Sequence, residues 1–181
     1  MAGVLYGRDL GGGHPGNGPI RAGPFGIVSG GRSHRAFLRA NVAGDDGRRA
    51  IEYVRKNSGI WKVNPDKIGM IGFSAGGMVT LDVAFNHTEQ SKPNIIGVMY
   101  GVFGAKGVPA DPMPMFLASS QNEALGGAAA LYASWCEARL PAEIHSFTRA
   151  NHGFGYRDNG DSVNIWVELF CNFLKKTGFI K

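Results

Sequence analysis

The 181-residue chain lacks long apolar runs, and no stretch of about 18 apolar residues is available to cross a membrane as a helix. Its start, Met1-Ala2-Gly3, also lacks the basic and apolar regions of a secretion signal. These absences predict a soluble protein with no membrane partner. As written, the chain would be cytoplasmic, and it would be secreted if an export signal had been removed.

Cysteine is also scarce. Cys136 and Cys171 both fall on predicted helices without Cys-x-x-Cys spacing, which favours buried free thiols over a disulfide. The histidines outside the motif described below show no metal-ligand spacing; they are His14, His34, His87 and His145. The sequence therefore predicts neither a metal site nor a cofactor.

Charge is unevenly distributed. The net charge of +5 lies in the first sixty residues, which carry nine Lys and Arg against four Asp and Glu, together with 14 of the 28 glycines. We expect one domain over residues 1–181, with residues 1–44 irregular, Gly-rich and basic. The clustered arginines are Arg32, Arg35, Arg39, Arg48 and Arg49. No aromatic residues alternate with them, so a solvated surface is favoured over a nucleic-acid partner.

From Ile68 onward, apolar runs typical of strands alternate with segments at helical spacing. Residues 94–100 are almost continuously apolar, as expected of a strand covered on both faces. A final helix is predicted from near Asp161 or Ser162. This alternation indicates the α/β class, with a mainly parallel sheet and helices on both faces.

A sharp strand-to-helix turn is predicted around Ser74. The segment Gly72-Phe73-Ser74-Ala75-Gly76-Gly77 follows the apolar run 68–71 and precedes a predicted helix. Small residues on both sides permit the strained backbone that such a turn needs. The turn would present the Ser74 hydroxyl at the positive end of the helix, with the Ala75 N–H free to stabilise an oxyanion.

A histidine lies in a predicted loop near the other end of the chain. Asn151-His152-Gly153-Phe154-Gly155 follows a plausible strand over residues 142–148 and precedes the terminal helix. The carboxyl ends of parallel strands share one edge of a sheet, so we expect His152 and Ser74 to lie on that edge. Phe73 and Phe154 flank the two residues and are predicted to shape a substrate pocket.

Together these motifs resemble the α/β-hydrolase superfamily, and within it small serine esterases related to acetyl-xylan and feruloyl esterases. The resemblance runs from about Asp45 to the C-terminus, in a compact or N-terminally shortened form. It rests on Asp45-Asp46 before the helical segment 48–55, on Trp61 and Asn64-Pro65-Asp66-Lys67-Ile68, and on the Ser74 and His152 motifs. It implies acyl transfer with Ser74 as the nucleophile and His152 as the base.

The acid that the resemblance requires departs from the family pattern. An Asp is expected after the strand at 114–120, where this chain has Gln121-Asn122-Glu123. Glu123 is the predicted acid, and Asn122 is its rival because an amide also orients an imidazole. Asp111 precedes the strand and would lie at its wrong end.

A second oxyanion donor is expected from a Gly-rich loop after an earlier strand. Gly11-Gly12-Gly13-His14 is the local match, which predicts Gly12 and Gly13 as donors. Alternatively, Val4-Leu5-Tyr6 is the next strand of the sheet and the true loop is missing.

The predicted function is hydrolysis of short-chain acyl esters, such as acetylated sugars or small aromatic esters, as small-molecule substrates. A serine peptidase of the prolyl-oligopeptidase type and a non-catalytic binding scaffold are the alternatives. An unpaired strand edge would favour self-association, so a homo-oligomer is predicted.

Overall fold

The computed structural model describes residues 2–8, 33–102, 107–123, 125–157 and 160–181, with the side chains of residues 2–8, 33–41, 125 and 126 outside the description. Five strands form one sheet in the order β1-β2-β3-β4-β5. They are β1 (Ala2–Arg8), β2 (Val63–Phe73), β3 (Ile95–Met99), β4 (Met115–Ser120) and β5 (Ala142–Phe147). Strands β2 to β5 are parallel, and β1 pairs with β2 in the antiparallel sense.

Helices join the strands and cover both faces of the sheet. They are α1 (Ser33–Lys56), the short α2 (Ser58–Trp61), α3 (Ala75–Asn86), α4 (Leu125–Glu137) and α5 (Trp166–Lys176), with a 3-10 turn over Ser162–Ile165. None of the helices in the described part of the chain is both long and apolar enough to span a membrane. The predicted α/β class with a mainly parallel sheet is confirmed.

The alternation of side chains along each strand separates the core into two layers. Phe116 points toward α5, where the buried face of that helix includes Trp166 and Phe170. Its neighbours Met115 and Leu117 point the other way and pack beneath α3 and α4. Helix α1 extends this second layer by burying Ile51 and Val54 against β2 and α3. Because the central strands are buried on both faces, apolar residues are nearly continuous along them.

The first part of the chain differs from the prediction. Residues 1–44 were expected to be irregular, but residues 2–8 form a strand and α1 begins at Ser33. Strand β1 contains Val4-Leu5-Tyr6 and lies beside β2, with Ala2 opposite Gly72 and Arg8 opposite Val63. Its carboxyl end is therefore at the amino end of β2, away from the sheet edge that carries Ser74.

The cysteine prediction is half confirmed. Cys136 and Cys171 are free thiols in the structure. The expected burial is wrong, however, because Cys136 is exposed and Cys171 is half-buried. Cys136 lies near the end of α4, one turn after Tyr132.

Candidate active site

Ser74 lies at the junction of β2 and α3 in a strained conformation. Its φ and ψ are 55° and −122°, a region that residues with a side chain rarely occupy. The turn is closed by the Ser74 N–H, which donates to the Met99 carbonyl at 2.9 Å, and by the Gly77 N–H, which donates to the Ser74 carbonyl at 2.8 Å. These bonds from both sides hold the serine at the end of its strand.

Glycine is required around this turn for steric reasons. A Cβ at Gly72 would lie 2.0 Å from the Gly76 carbonyl oxygen, and a Cβ at Gly101 would lie 2.5 Å from the Ser74 carbonyl oxygen. Separations below 3.0 Å force atoms to move. The glycines therefore permit the close approach of α3 to the ends of β2 and β3.

The structure brings Ser74, His152 and Glu123 together, as the sequence predicted. The Ser74 Oγ lies 2.7 Å from the His152 Nε2, and the His152 Nδ1 is hydrogen-bonded to the Glu123 carboxylate. An ionised carboxylate can only accept, so the Nδ1 donates to Glu123 and the Nε2 is left to accept the proton of the Ser74 hydroxyl. The three groups form a chain from hydroxyl to imidazole to carboxylate.

The neighbouring candidates for the acid occupy other positions. Asn122 donates through its side chain to the Ala150 carbonyl at 3.4 Å and is exposed. Asp111 precedes β4 and forms an ion pair with Lys92, whose ammonium lowers the pKa of that carboxyl. Of the three candidates, only Glu123 contacts His152 in the described part of the chain.

The predicted oxyanion donors are placed only in part. Ala75 is the first residue of α3, so its N–H has no acceptor within the helix. Gly12 and Gly13 lie outside the described residues, and their role stays a prediction. The described part of the chain holds no group of three or more His, Cys, Asp or Glu side chains that could bind a metal ion.

The two predicted pocket residues, Phe73 and Phe154, have aromatic rings that pack against other rings near the site. Phe73 is half-buried, with its ring centroid 5.8 Å from that of Trp166 and 6.0 Å from that of Tyr100. Phe154 is buried, 6% exposed, and its centroid lies 4.5 Å from that of Tyr100. Such burial leaves Phe154 little surface for a substrate. Their predicted role in substrate binding stays a prediction.

Two contacts that the sequence interpretation missed hold the His152 loop. Tyr100, treated above only as part of an apolar strand, follows β3 and places its ring centroid 5.3 Å from that of His152. Ser120 ends β4, and its buried hydroxyl donates to the Ala150 carbonyl. Both residues stand at carboxyl ends of parallel strands, the position at which sites form in this fold class, and that signal was available in the sequence.

Comparison with solved structures identifies the architecture. An acetyl ester-xyloside bifunctional hydrolase from Caldicellulosiruptor lactoaceticus is 22% identical, with a TM-score of 0.66, over 76% of this chain and 66% of that chain. The chain has the α/β-hydrolase fold. Its predicted resemblance to the esterases of that superfamily is confirmed as well. The BD-FAE family model, which describes esterase-type α/β-hydrolases, matches residues 33–102.

A second solved protein has a similar fold over a similar part of the chain. The native structure of Est2, a thermophilic esterase from Thermogutta terrifontis, is 21% identical with a TM-score of 0.67, over 77% of this chain and 65% of that chain. The same esterase phosphorylated by paraoxon is 22% identical with a TM-score of 0.64, over 77% and 65%. The chain thus spans about two thirds of the length of these α/β-hydrolases. No curated protein sequence matches it significantly.

Proposed function

We propose that this α/β-hydrolase domain is a serine carboxylesterase that hydrolyses short-chain acyl esters through a covalent acyl-enzyme. The observation that carries the proposal is the contact of 2.7 Å between the Ser74 Oγ and the His152 Nε2, at a serine held in a strained turn. A helix-starting serine with no chemical role would need neither the strain nor the imidazole. The resemblance to solved esterases supports the same reaction class.

The first half-reaction forms the acyl-enzyme. His152 takes the hydroxyl proton through its Nε2 while the Ser74 Oγ attacks the ester carbonyl carbon. The carboxylate of Glu123 stabilises the imidazolium that results, and the Ala75 N–H donates to the oxyanion. When the tetrahedral intermediate collapses, the bond to the alcohol oxygen breaks and His152 returns its proton to that oxygen.

The second half-reaction restores the enzyme. The Nε2 of His152 takes a proton from a water molecule, whose oxygen attacks the acyl carbon on Ser74. The serine oxygen leaves with the proton held on His152, and the carboxylic acid departs. The His152 side chain is 50% exposed, so water has direct access to the group that must activate it.

The acyl group is proposed to be short, as in acetylated sugars or small aromatic esters. The comparison proteins include one whose name specifies acetyl ester hydrolysis. Rates on p-nitrophenyl acetate, butyrate and octanoate, measured side by side, test this point, and an optimum at octanoate would contradict it.

Hydrolysis of p-nitrophenyl acetate by the wild-type chain and by S74A tests the mechanism. We expect turnover by the wild type and its loss in S74A, with both proteins equally folded by circular dichroism. Ser91→Ala is a matched control, since Ser91 is buried in the turn before β3 and bonds to Thr88 there. Equal turnover by wild type and S74A would exclude the proposed nucleophile.

An organophosphate separates the esterase from a scaffold that only binds. Paraoxon modifies one of the esterases of similar fold. We expect it to add one diethyl phosphoryl group to Ser74, detected by mass spectrometry of the peptide, and to inactivate the enzyme. Absence of both labelling and turnover would favour a non-catalytic scaffold. Cleavage of prolyl amides faster than of esters would favour the peptidase.

A further inference from the structure

The loop that carries His152 is held at one peptide group from two sides. The Trp166 indole N–H donates to the Gly155 carbonyl at 2.8 Å, and the Tyr100 hydroxyl lies beside the same residue, 4.0 Å from the position that a Cβ of Gly155 would take. Gly153 and Gly155 have φ values of 76° and 53°, which allow the loop to turn back between these two contacts. The Gly155 peptide is therefore fixed between β3 and α5.

Tyr100 also touches the imidazole itself. Its ring lies edge to face with that of His152, at 70° between planes, and edge to face with Phe154 at 68°. One side chain therefore contacts His152, its neighbour Phe154 and the peptide of Gly155. Because Tyr100 is only 6% exposed, these contacts are shielded from water.

The backbone of Tyr100 is arranged to make these contacts. Its φ of 40° lies in the left-handed region, which is costly for a residue with an aromatic side chain. The Tyr100 N–H donates to the Ala118 carbonyl at 2.7 Å, so β4 holds this conformation in place. Strain of this kind persists only where surrounding contacts fix it. The preceding residue, Met99, accepts the Ser74 N–H, so the same strand end supports both Ser74 and His152.

We propose that Tyr100 is a positioning residue, which holds His152 within hydrogen-bond distance of Ser74 by clamping the His152 loop with its ring and its hydroxyl. This inference rests on the proposed function. It assigns two separable effects: the hydroxyl packs against Gly155, and the ring limits rotation of the imidazole. Neither group reacts with substrate, so the residue acts on the chemical step and not on substrate binding.

Tyr100→Phe and Tyr100→Leu separate the two effects. We expect Y100F to lower kcat on p-nitrophenyl acetate by about tenfold with KM unchanged, because the Gly155 peptide loses the hydroxyl that packs beside it. Y100L loses the ring as well and is expected to lower kcat by about 100-fold, the cost of misplacing a catalytic group by about 1 Å. Tyr132→Phe is the matched control, because it removes a tyrosine hydroxyl from α4 on the other face of the sheet.

Hydrogen–deuterium exchange of the peptide covering residues 150–157 tests, independently of activity, whether Tyr100 holds the His152 loop. We expect faster exchange there in Y100F and no change in Y132F, with melting temperatures of the two variants close together. Unchanged exchange in Y100F, or a fall in kcat accompanied by an equal rise in KM, would overturn the proposal. If Y100F does not fold, Trp166→Phe releases the Gly155 peptide from the other side, and the same exchange result is required.

The two proposals fail in different ways. A wild-type chain that hydrolyses no ester contradicts the proposed function, while the exchange measurement still decides whether Tyr100 holds the loop. Conversely, if the wild type is active but exchange is identical in the wild type and Y100F, the proposed role of Tyr100 is refuted and the proposed function is not.

Discussion

Ser120 at the end of β4 is joined to Ala150 before the His152 loop through a buried hydrogen bond from its hydroxyl to the Ala150 carbonyl. The same hydroxyl oxygen accepts the Asn122 N–H at 3.1 Å. One side chain therefore links the loop that carries Glu123 to the loop that carries His152. The separation between the carboxylate and the imidazole depends on this link, although Ser120 touches neither group.

Replacing Ser120 with Ala should loosen that link. The variant removes the hydroxyl bond to the Ala150 carbonyl, which then retains the long bond from the Asn122 side chain, at a cost of about 1–3 kcal/mol in unfolding free energy. We expect kcat to fall by about tenfold as the two loops separate. Urea unfolding and ester kinetics measure the two effects. Ser134→Ala is the control, since its hydroxyl donates to the Ala130 carbonyl one turn earlier in α4. An S120A protein as active as this control would contradict the prediction.

Glu123→Gln should lower kcat by far more than Asn122→Ala. The amide of Gln keeps the shape of the side chain but cannot stabilise the imidazolium with a full charge, and the loss approaches about 10⁴-fold when a triad acid is neutralised. Asn122 contributes one long hydrogen bond to Ala150, so its removal should cost only about two- to threefold. Single-turnover rates with p-nitrophenyl acetate distinguish the two, and a reversed order would transfer the role to Asn122.

Gly101→Ala should distort the Ser74 turn from outside it. The new Cβ would lie 2.5 Å from the Ser74 carbonyl oxygen and 2.7 Å from the Gly77 Cα, and neither backbone atom can move without displacing α3. We expect about a 100-fold loss of kcat together with a lower melting temperature.

Gly59→Ala provides the matched control for that substitution. A Cβ at Gly59 in α2 meets nothing within 4 Å. This variant should retain full activity and gain about 0.4–1 kcal/mol in stability, because alanine reduces the conformational freedom of the unfolded chain. Equal kcat values for G101A and G59A would show that the contact between Gly101 and Ser74 is not needed.

Alkaline pH should destabilise the fold through Tyr100. Burial raises the pKa of Tyr100 above its ordinary value of 10.0, and the charge of Glu123 raises it further, while the Gly155 N–H opposes both. A raised pKa means that the folded state holds the proton more tightly than the unfolded state does. The resulting stability is fully present below the ordinary pKa and is lost as the pH rises through the folded value.

Tyr100→Phe removes this titration and so identifies its source. As the pH rises above about 10, the unfolding free energy of the wild type should fall more steeply than that of Y100F. Unfolding in urea at several pH values gives both slopes. Parallel slopes would mean that the loss of stability comes from other groups.

Self-association is proposed from the outer edge of the sheet. Among the described residues β5 pairs with β4 alone, and its residues are half-buried or exposed, so we propose that backbone groups on its other edge pair with a second copy. Light scattering at working concentration should give a mass of at least twice 19.3 kDa. A monomeric mass would contradict this proposal without affecting the proposed catalysis.

The sequence alone determined the alternation of strands and helices and the sharp turn at Ser74. Local chemistry was sufficient for both, because apolar runs bounded by glycine and proline define buried strands, and only small residues fit a strained strand-to-helix turn. The order of Ser74, Glu123 and His152 along the chain also indicated the site. The sequence did not reveal the exposure of the two thiols or the helix that begins at Ser33, since neither has a local signal.

The tertiary structure decided which carboxylate or amide meets His152 and what holds the imidazole in place. Asn122 and Glu123 are adjacent in sequence, and only the direction of the loop after β4 separates the residue that contacts Ala150 from the one that contacts His152. Tyr100 looked like the end of a buried strand, and its left-handed backbone turns the ring toward the site. Such contacts join residues tens of positions apart, so their geometry depends on the packing of whole strands and not on any local pattern.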